Sequence, residues 1–251
     1  MRCLCISRWW FASVAVLFAL GAGCGSGEDG PLTVSAASSL TEAFDVYGEA
    51  LPSQPRFSFG GSGELAAQIR QGARPDVFAS ANTRYPRELA ADGLVEDPVV
   101  FARNRLIIAV APGSGVASLD DLSGPGVDLV LCAAGTPCGE YARRLVARLP
   151  TPQREAILAN VRAEEANVKG VVGKVAQGAA DAGIVYASDT AAAAGRVDTV
   201  EIPAALGPNV AYSAAVVAGA RNPEAAREFI DGLLDGDGAE ALAAAGFLPP
   251  P

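Results

Sequence analysis

Histidine is absent from all 251 residues, and lysine occurs only at Lys169 and Lys174. Without imidazole there is no Ser-His-Asp or Cys-His nucleophile and no histidine-based metal site. A histidine-free hydrolase with Ser39 or Tyr186 as nucleophile would need one of the two lysines as base. Neither stands in a Ser-x-x-Lys pattern, so that alternative is remote. Positive charge is also scarce: 19 Lys and Arg face 28 Asp and Glu, a net charge of −9. That balance disfavours nucleic acid and anionic membrane surfaces as partners. Cysteine is sparse as well, and three of the five stand at positions 3, 5 and 24. Cys132 and Cys138 are two thiols only, too few for a paired CxxC zinc site.

Against these absences stands a distinctive start. Arg2 and Arg8 precede an apolar run from Trp9 to Leu20, followed by Gly21-Ala22-Gly23 and Cys24. The run is too short to span a bilayer comfortably and reads as a secretory signal over residues 1–23. A cysteine directly after small residues resembles a bacterial lipoprotein processing site, with Cys24 as the lipidated residue; an ordinary signal cut nearby is the alternative. Residues 24–31 are polar and glycine-rich, a flexible tether. Processing at Cys24 removes two basic residues and no acidic one, which takes the net charge to −11. The expected location is outside the cytoplasm, held by lipid to the outer face of the cytoplasmic membrane. In such a compartment the even pair Cys132 and Cys138 is expected to form a disulfide.

From Leu32 onward, short apolar runs alternate with helical patterns, which predicts an α/β fold. Strands are expected at 32–37, 56–59, 75–80, 128–133, 182–186 and 197–202. Two longer apolar runs, Arg105–Ala111 and Val210–Ala218, have the character of strands buried on both faces. Two lobes, each a mostly parallel sheet flanked by helices, would account for them as crossover strands forming a hinge. The expected division is 32–107 with 212–251 as one lobe and 108–211 as the other.

Several strand-to-helix junctions carry hydroxyls or glycine. Ser38-Ser39 follows the first strand, and Ser62 follows Gly60-Gly61. Thr136-Pro137-Cys138-Gly139 and Asn167-Val168-Lys169-Gly170 open two later helices, and Tyr186 ends a strand before another. Helix N-termini present unpaired amides and the positive end of the helix dipole, so they attract anions. In open α/β sheets ligands gather at the carboxyl ends of strands. The competing reading is simple capping, with Ser39 and Glu42 as a capping box. Gly170-Val171-Val172-Gly173-Lys174 lacks the spacing and the following hydroxyl of a P-loop.

Taken in order, "AASSLTEAF", "FGGSGELAAQIRQGARPDVFASA", "NRLIIAVAP", "TPCGEYA" and "GIVYASD" resemble the periplasmic molybdate-binding components of ABC importers, over nearly all of residues 32–248. The resemblance implies a two-lobed type II periplasmic-binding fold and a monomer that passes molybdate or tungstate to a membrane permease. It implies no enzyme activity, no cofactor and no metal as a bare ion, because the ligand is a dehydrated oxyanion held by neutral donors. Carried onto this chain, the ligand positions fall on the hydroxyls of Ser39, Ser62 and Tyr186 and the amides of Cys138 and Val168. Glycine at 60, 61 and 63 stands where relatives often carry serine, and Cys138 where they often carry alanine. A sulfate or other tetrahedral-oxyanion binder on the same scaffold is the second reading.

Overall fold

Apolar runs closed by glycine, serine or proline become the strands of two five-stranded sheets in the computed structural model, which describes residues 30–251. The signal, Cys24 and most of the tether lie outside the described residues. The first sheet contains β1 (Thr33–Ala37), β2 (Arg56–Gly60), β3 (Val77–Ser80), β4 (Val99–Asn104) and β10 (Val210–Val216). Its order is β2-β1-β3-β10-β4. The second contains β5 (Leu106–Val110), β6 (Leu129–Cys132), β7 (Val161–Glu165), β8 (Ala182–Tyr186) and β9 (Asp198–Glu201), in the order β7-β6-β8-β5-β9.

The two sheets share one plan. In each, three strands are mutually parallel, the fourth is reversed, and the fifth reverses again. The reversed strand is in both cases the one entered directly from the other sheet. β4 ends at Asn104 and β5 begins at Leu106, so Arg105 alone makes the first passage. The return runs through residues 202–209, between β9 and β10. The passages therefore lie beside the two apolar strands: β5 is wholly in the second sheet and β10 wholly in the first. Two strands were not expected from the sequence. β4 merges into the apolar run that follows it, and β7 (VRAEE) alternates charged and apolar residues as a sheet edge does.

Helices cover the sheets. α1 (Thr41–Ala50), α8 (Pro223–Leu234) and α9 (Asp237–Ala244) lie against one face of the first sheet, and α2 (Ser62–Arg70) and α3 (Arg84–Ala91) against the other. In α8 the buried residues Ala226, Phe229, Ile230 and Leu233 follow helical spacing and form one stripe. Phe229 packs edge-on to Phe44 at 5.4 Å and lies 4.8 Å from Tyr47. In β3, Val77 and Ala79 join this core while Phe78 points to the α2–α3 side, as a period of two requires. α4 (Pro137–Val146), α5 (Thr151–Ala159), α6 (Val168–Ala176) and α7 (Ala187–Ala192) belong to the second sheet.

Buried Asp76 secures the start of the first lobe. Its carboxylate accepts from Thr33 N at 2.8 Å, Thr33 Oγ1 at 2.7 Å and Asn222 N at 2.9 Å. Burial alone would raise its pKa, but these donors win and hold it below the usual value. Among the described residues no helix is long and apolar enough to cross a membrane.

Candidate functional site

β1 ends at Ala37, and the chain turns through a single 3-10 turn, Ser38–Leu40, before α1 begins. The turn is held from outside its own serines: Thr41 Oγ1 donates to Ser38 O at 2.7 Å. Ser39 does not cap α1. Its Oγ lies 2.9 Å from the Tyr212 hydroxyl, and Glu42, the other half of the supposed capping box, pairs with Lys169 of the second lobe. The capping-box reading is therefore overturned, and the Ser39 hydroxyl is buried with one side facing a cleft.

Ser62 opens α2 and is equally buried. Its oxygen accepts the Ala81 N–H at 3.1 Å, so its single proton remains free to be donated elsewhere. In the second lobe, Thr136 caps α4 by accepting from Gly139 N at 3.2 Å, and Asn167 caps α6 by accepting from Gly170 N at the same distance. The Cys138 and Val168 amides lie within the first two residues of those helices. No intrahelical acceptor exists for them there.

Tyr186 ends β8 with its side chain fully buried, and its hydroxyl has no hydrogen-bond partner among the described residues. Burial first, and then the neighbouring Tyr212, push its phenol far above the usual range, so it is a neutral donor. A buried hydroxyl without a partner is costly and marks a place built for something else to bind.

These five residues line one cleft between the lobes. Its other walls include Ser38, Gly60, Gly61, Ala81, Thr136 and Asn167, and no charged residue is among them. The lobes touch around it. Arg84 of α3 pairs with Glu140 of α4, Lys169 of α6 pairs with Glu42 of α1, and the Tyr85 hydroxyl donates to Gly135 O. The backbone also approaches closely at Gly61: a Cβ there would stand 2.8 Å from Ala166 O across the cleft. Glycine is required at 61 by this contact between lobes.

Cys132 and Cys138 are both free and buried, which corrects the expected disulfide. The Cys138 thiol points toward Ile184 O of β8 at 3.6 Å, and burial together with the adjacent Cys132 pushes its pKa well up. A buried thiol whose pKa is pushed up is a poor nucleophile, so adjacency alone does not join Cys138 to its neighbour. Nothing in the sequence pointed to Tyr212 as the hydrogen-bond partner of Ser39. Tyr212 sits in a run that reads as pure core, and only the topology brings β10 beside the Ser38–Leu40 turn.

A family model described as bacterial extracellular solute-binding protein matches residues 32–248. The chain belongs to that family. Its members are binders of solutes outside the cytoplasm, so the hydrolase reading of Ser39 and Tyr186 is set aside. A relative named molybdate-binding protein ModA, from Mycobacterium tuberculosis, is 37% identical over 227 residues, covering 87% of this binding protein and 85% of its own length. Among solved structures, the substrate-binding domain of a putative molybdenum ABC transporter from Clostridium difficile is 28% identical, with a TM-score of 0.65, covering 88% of this chain and 99% of its own. The Azotobacter vinelandii periplasmic molybdate-binding protein superposes with a TM-score of 0.76 at 24% identity, covering 88% of this chain and all of its own, and supports the two-lobed fold.

Proposed function

We infer that this solute-binding protein captures molybdate, or the closely similar tungstate, as a dehydrated dianion and delivers it to the membrane permease of an ABC importer. The carrying observation is the convergence of neutral hydrogen-bond donors from both lobes on one cleft without a cation. The proposed ligand contacts are the hydroxyls of Ser39, Ser62 and Tyr186 and the amides of Cys138 and Val168. Hydrogen bonds to an ionised acceptor are short and strong, so such a set can replace the anion's hydration. The first turns of α4 and α6 add the positive ends of two helix dipoles.

Donors alone also select. A protonated phosphate brings a hydrogen that meets the proposed donors instead of an acceptor, which leaves polar groups mismatched in a buried place. Sulfate shares the charge and shape of molybdate but is smaller, so the size of the cleft, not its chemistry, separates the two. The names of the relatives favour molybdate. Attachment by lipid at Cys24 to the outer face of the cytoplasmic membrane, and action as a monomer, complete the proposal.

Calorimetric titration of residues 32–251 with molybdate, tungstate, sulfate and phosphate tests this reading. Saturation at one molybdate per chain, with sulfate weaker and phosphate undetected, is expected. Tight sulfate binding without molybdate binding would replace the assignment with the second reading.

A further inference from the structure

A serine hydroxyl has one proton, so whether Ser39 offers a donor or only lone pairs to the cleft depends on its partner. That partner is the Tyr212 hydroxyl, at 2.9 Å, and both residues are buried. Were Ser39 to donate to Tyr212, its lone pairs would face an anion and repel it. The surroundings of Tyr212 decide the direction.

Asn104, the last residue of β4, takes the Arg105 N–H on its Oδ1 at 2.9 Å. This fixes which side of its amide is oxygen. Its Nδ2 then donates to Ser188 Oγ of α7 at 2.9 Å, so the end of β4 is tied to the second lobe beside Tyr212. Burial first, and then nearby Asp189, push the Tyr212 phenol well up, so it keeps its proton. The buried Tyr212 hydroxyl has Ser39 Oγ as its hydrogen-bond partner, whereas the Ser39 hydroxyl also borders the cleft, so the phenol proton is the one that needs this bond. The Ser39 proton is left for the cleft.

We propose that Tyr212 is a positioning residue that turns the Ser39 hydroxyl into an obligate donor toward the bound oxyanion. This rests on the oxyanion reading of the cleft. It also makes Tyr212 a determinant of specificity, because a Ser39 free to rotate could accept the proton of a protonated anion.

Tyr212→Phe removes only the hydroxyl and keeps the ring, which packs edge-on to Phe247 at 5.1 Å and to Tyr186 at 5.7 Å. Molybdate affinity is expected to fall about tenfold, as for loss of a hydrogen bond's worth of preorganisation, and the preference for molybdate over phosphate to narrow. In a Ser39→Ala background the same substitution should have no further effect on molybdate affinity. Wild-type affinity in Tyr212→Phe, or a penalty that persists undiminished with Ser39→Ala, overturns the proposal while leaving the oxyanion reading intact. Absence of molybdate binding by the unaltered chain overturns both.

Discussion

Ser62 takes the Ala81 N–H on its oxygen, which commits its proton to the cleft much as Tyr212 commits that of Ser39. Ser62→Ala should therefore cost a hydrogen bond to a charged group, about 1.5–3 kcal/mol, or roughly ten- to a hundredfold in molybdate affinity. Calorimetry of that variant, with a cooperative melt as control, checks it; unchanged affinity would remove Ser62 from the ligand set. Asp189 is a different kind of residue. It lies buried near the start of α7, both carboxyl oxygens lack a hydrogen-bond partner among the described residues, and Lys169 Nζ is 3.9 Å away. Burial pushes its pKa up to about 7, against the pull of Lys169. The folded state thus binds this proton more tightly than the unfolded chain. Its contribution to stability is full below about pH 4 and is lost as pH rises through about 7. Asp189→Asn should flatten that decline in thermal melts between pH 5 and 8, and an unchanged slope would show that Asp189 does not titrate in this window.

At the scale of elements, the strand-to-helix junction is the unit of the site. The β1 to α1, β2 to α2 and β8 to α7 junctions were legible in the sequence because apolar runs stop at hydroxyls or glycine and helical spacing begins at once. The caps at Thr136 and Asn167 were legible for the same reason. What sits across a junction was not. The sequence places Glu42 three residues from Ser39, as a capping box would, yet Glu42 reaches into the other lobe to Lys169. Likewise the spacing of Cys132 and Cys138 says nothing about where their thiols point. Gly61 belongs to this group, since its meaning comes from Ala166, more than a hundred residues away. Gly61→Val should wedge the lobes apart and weaken molybdate binding at least tenfold, because the donors of the two lobes would no longer meet on one anion. A crystal structure of the variant with the cleft as narrow as in the unaltered chain, and equal affinity, would contradict this.

For the whole molecule, the two sheets repeat one plan and are joined by Arg105 and by residues 202–209. Few covalent links and a cleft between lobes make hinge closure the expected motion. The ion pairs that bridge the cleft, Arg84 with Glu140 and Lys169 with Glu42, are partly exposed, and such pairs contribute roughly 0–1 kcal/mol each. They are too weak to hold the lobes shut by themselves, so the ligand should decide the balance. Small-angle scattering is predicted to give a smaller radius of gyration with molybdate than without, and identical profiles would mean a cleft closed in advance. The alternation of strand and helix made the two lobes legible. That β5 and β10 each stay within one sheet was not legible, because both are apolar for the ordinary reason that each is flanked by strands on both sides.

The central claim is that a dehydrated tetrahedral dianion is held by neutral donors from both lobes. The most direct measurement is anomalous diffraction at the molybdenum absorption edge from crystals grown with molybdate. The account predicts one peak per chain, in the cleft, with oxygens within hydrogen-bond distance of the Ser39, Ser62 and Tyr186 hydroxyls and the Cys138 and Val168 amides, and no water in the first shell. A peak elsewhere, or one in the cleft coordinated by water or by a charged side chain, would contradict it.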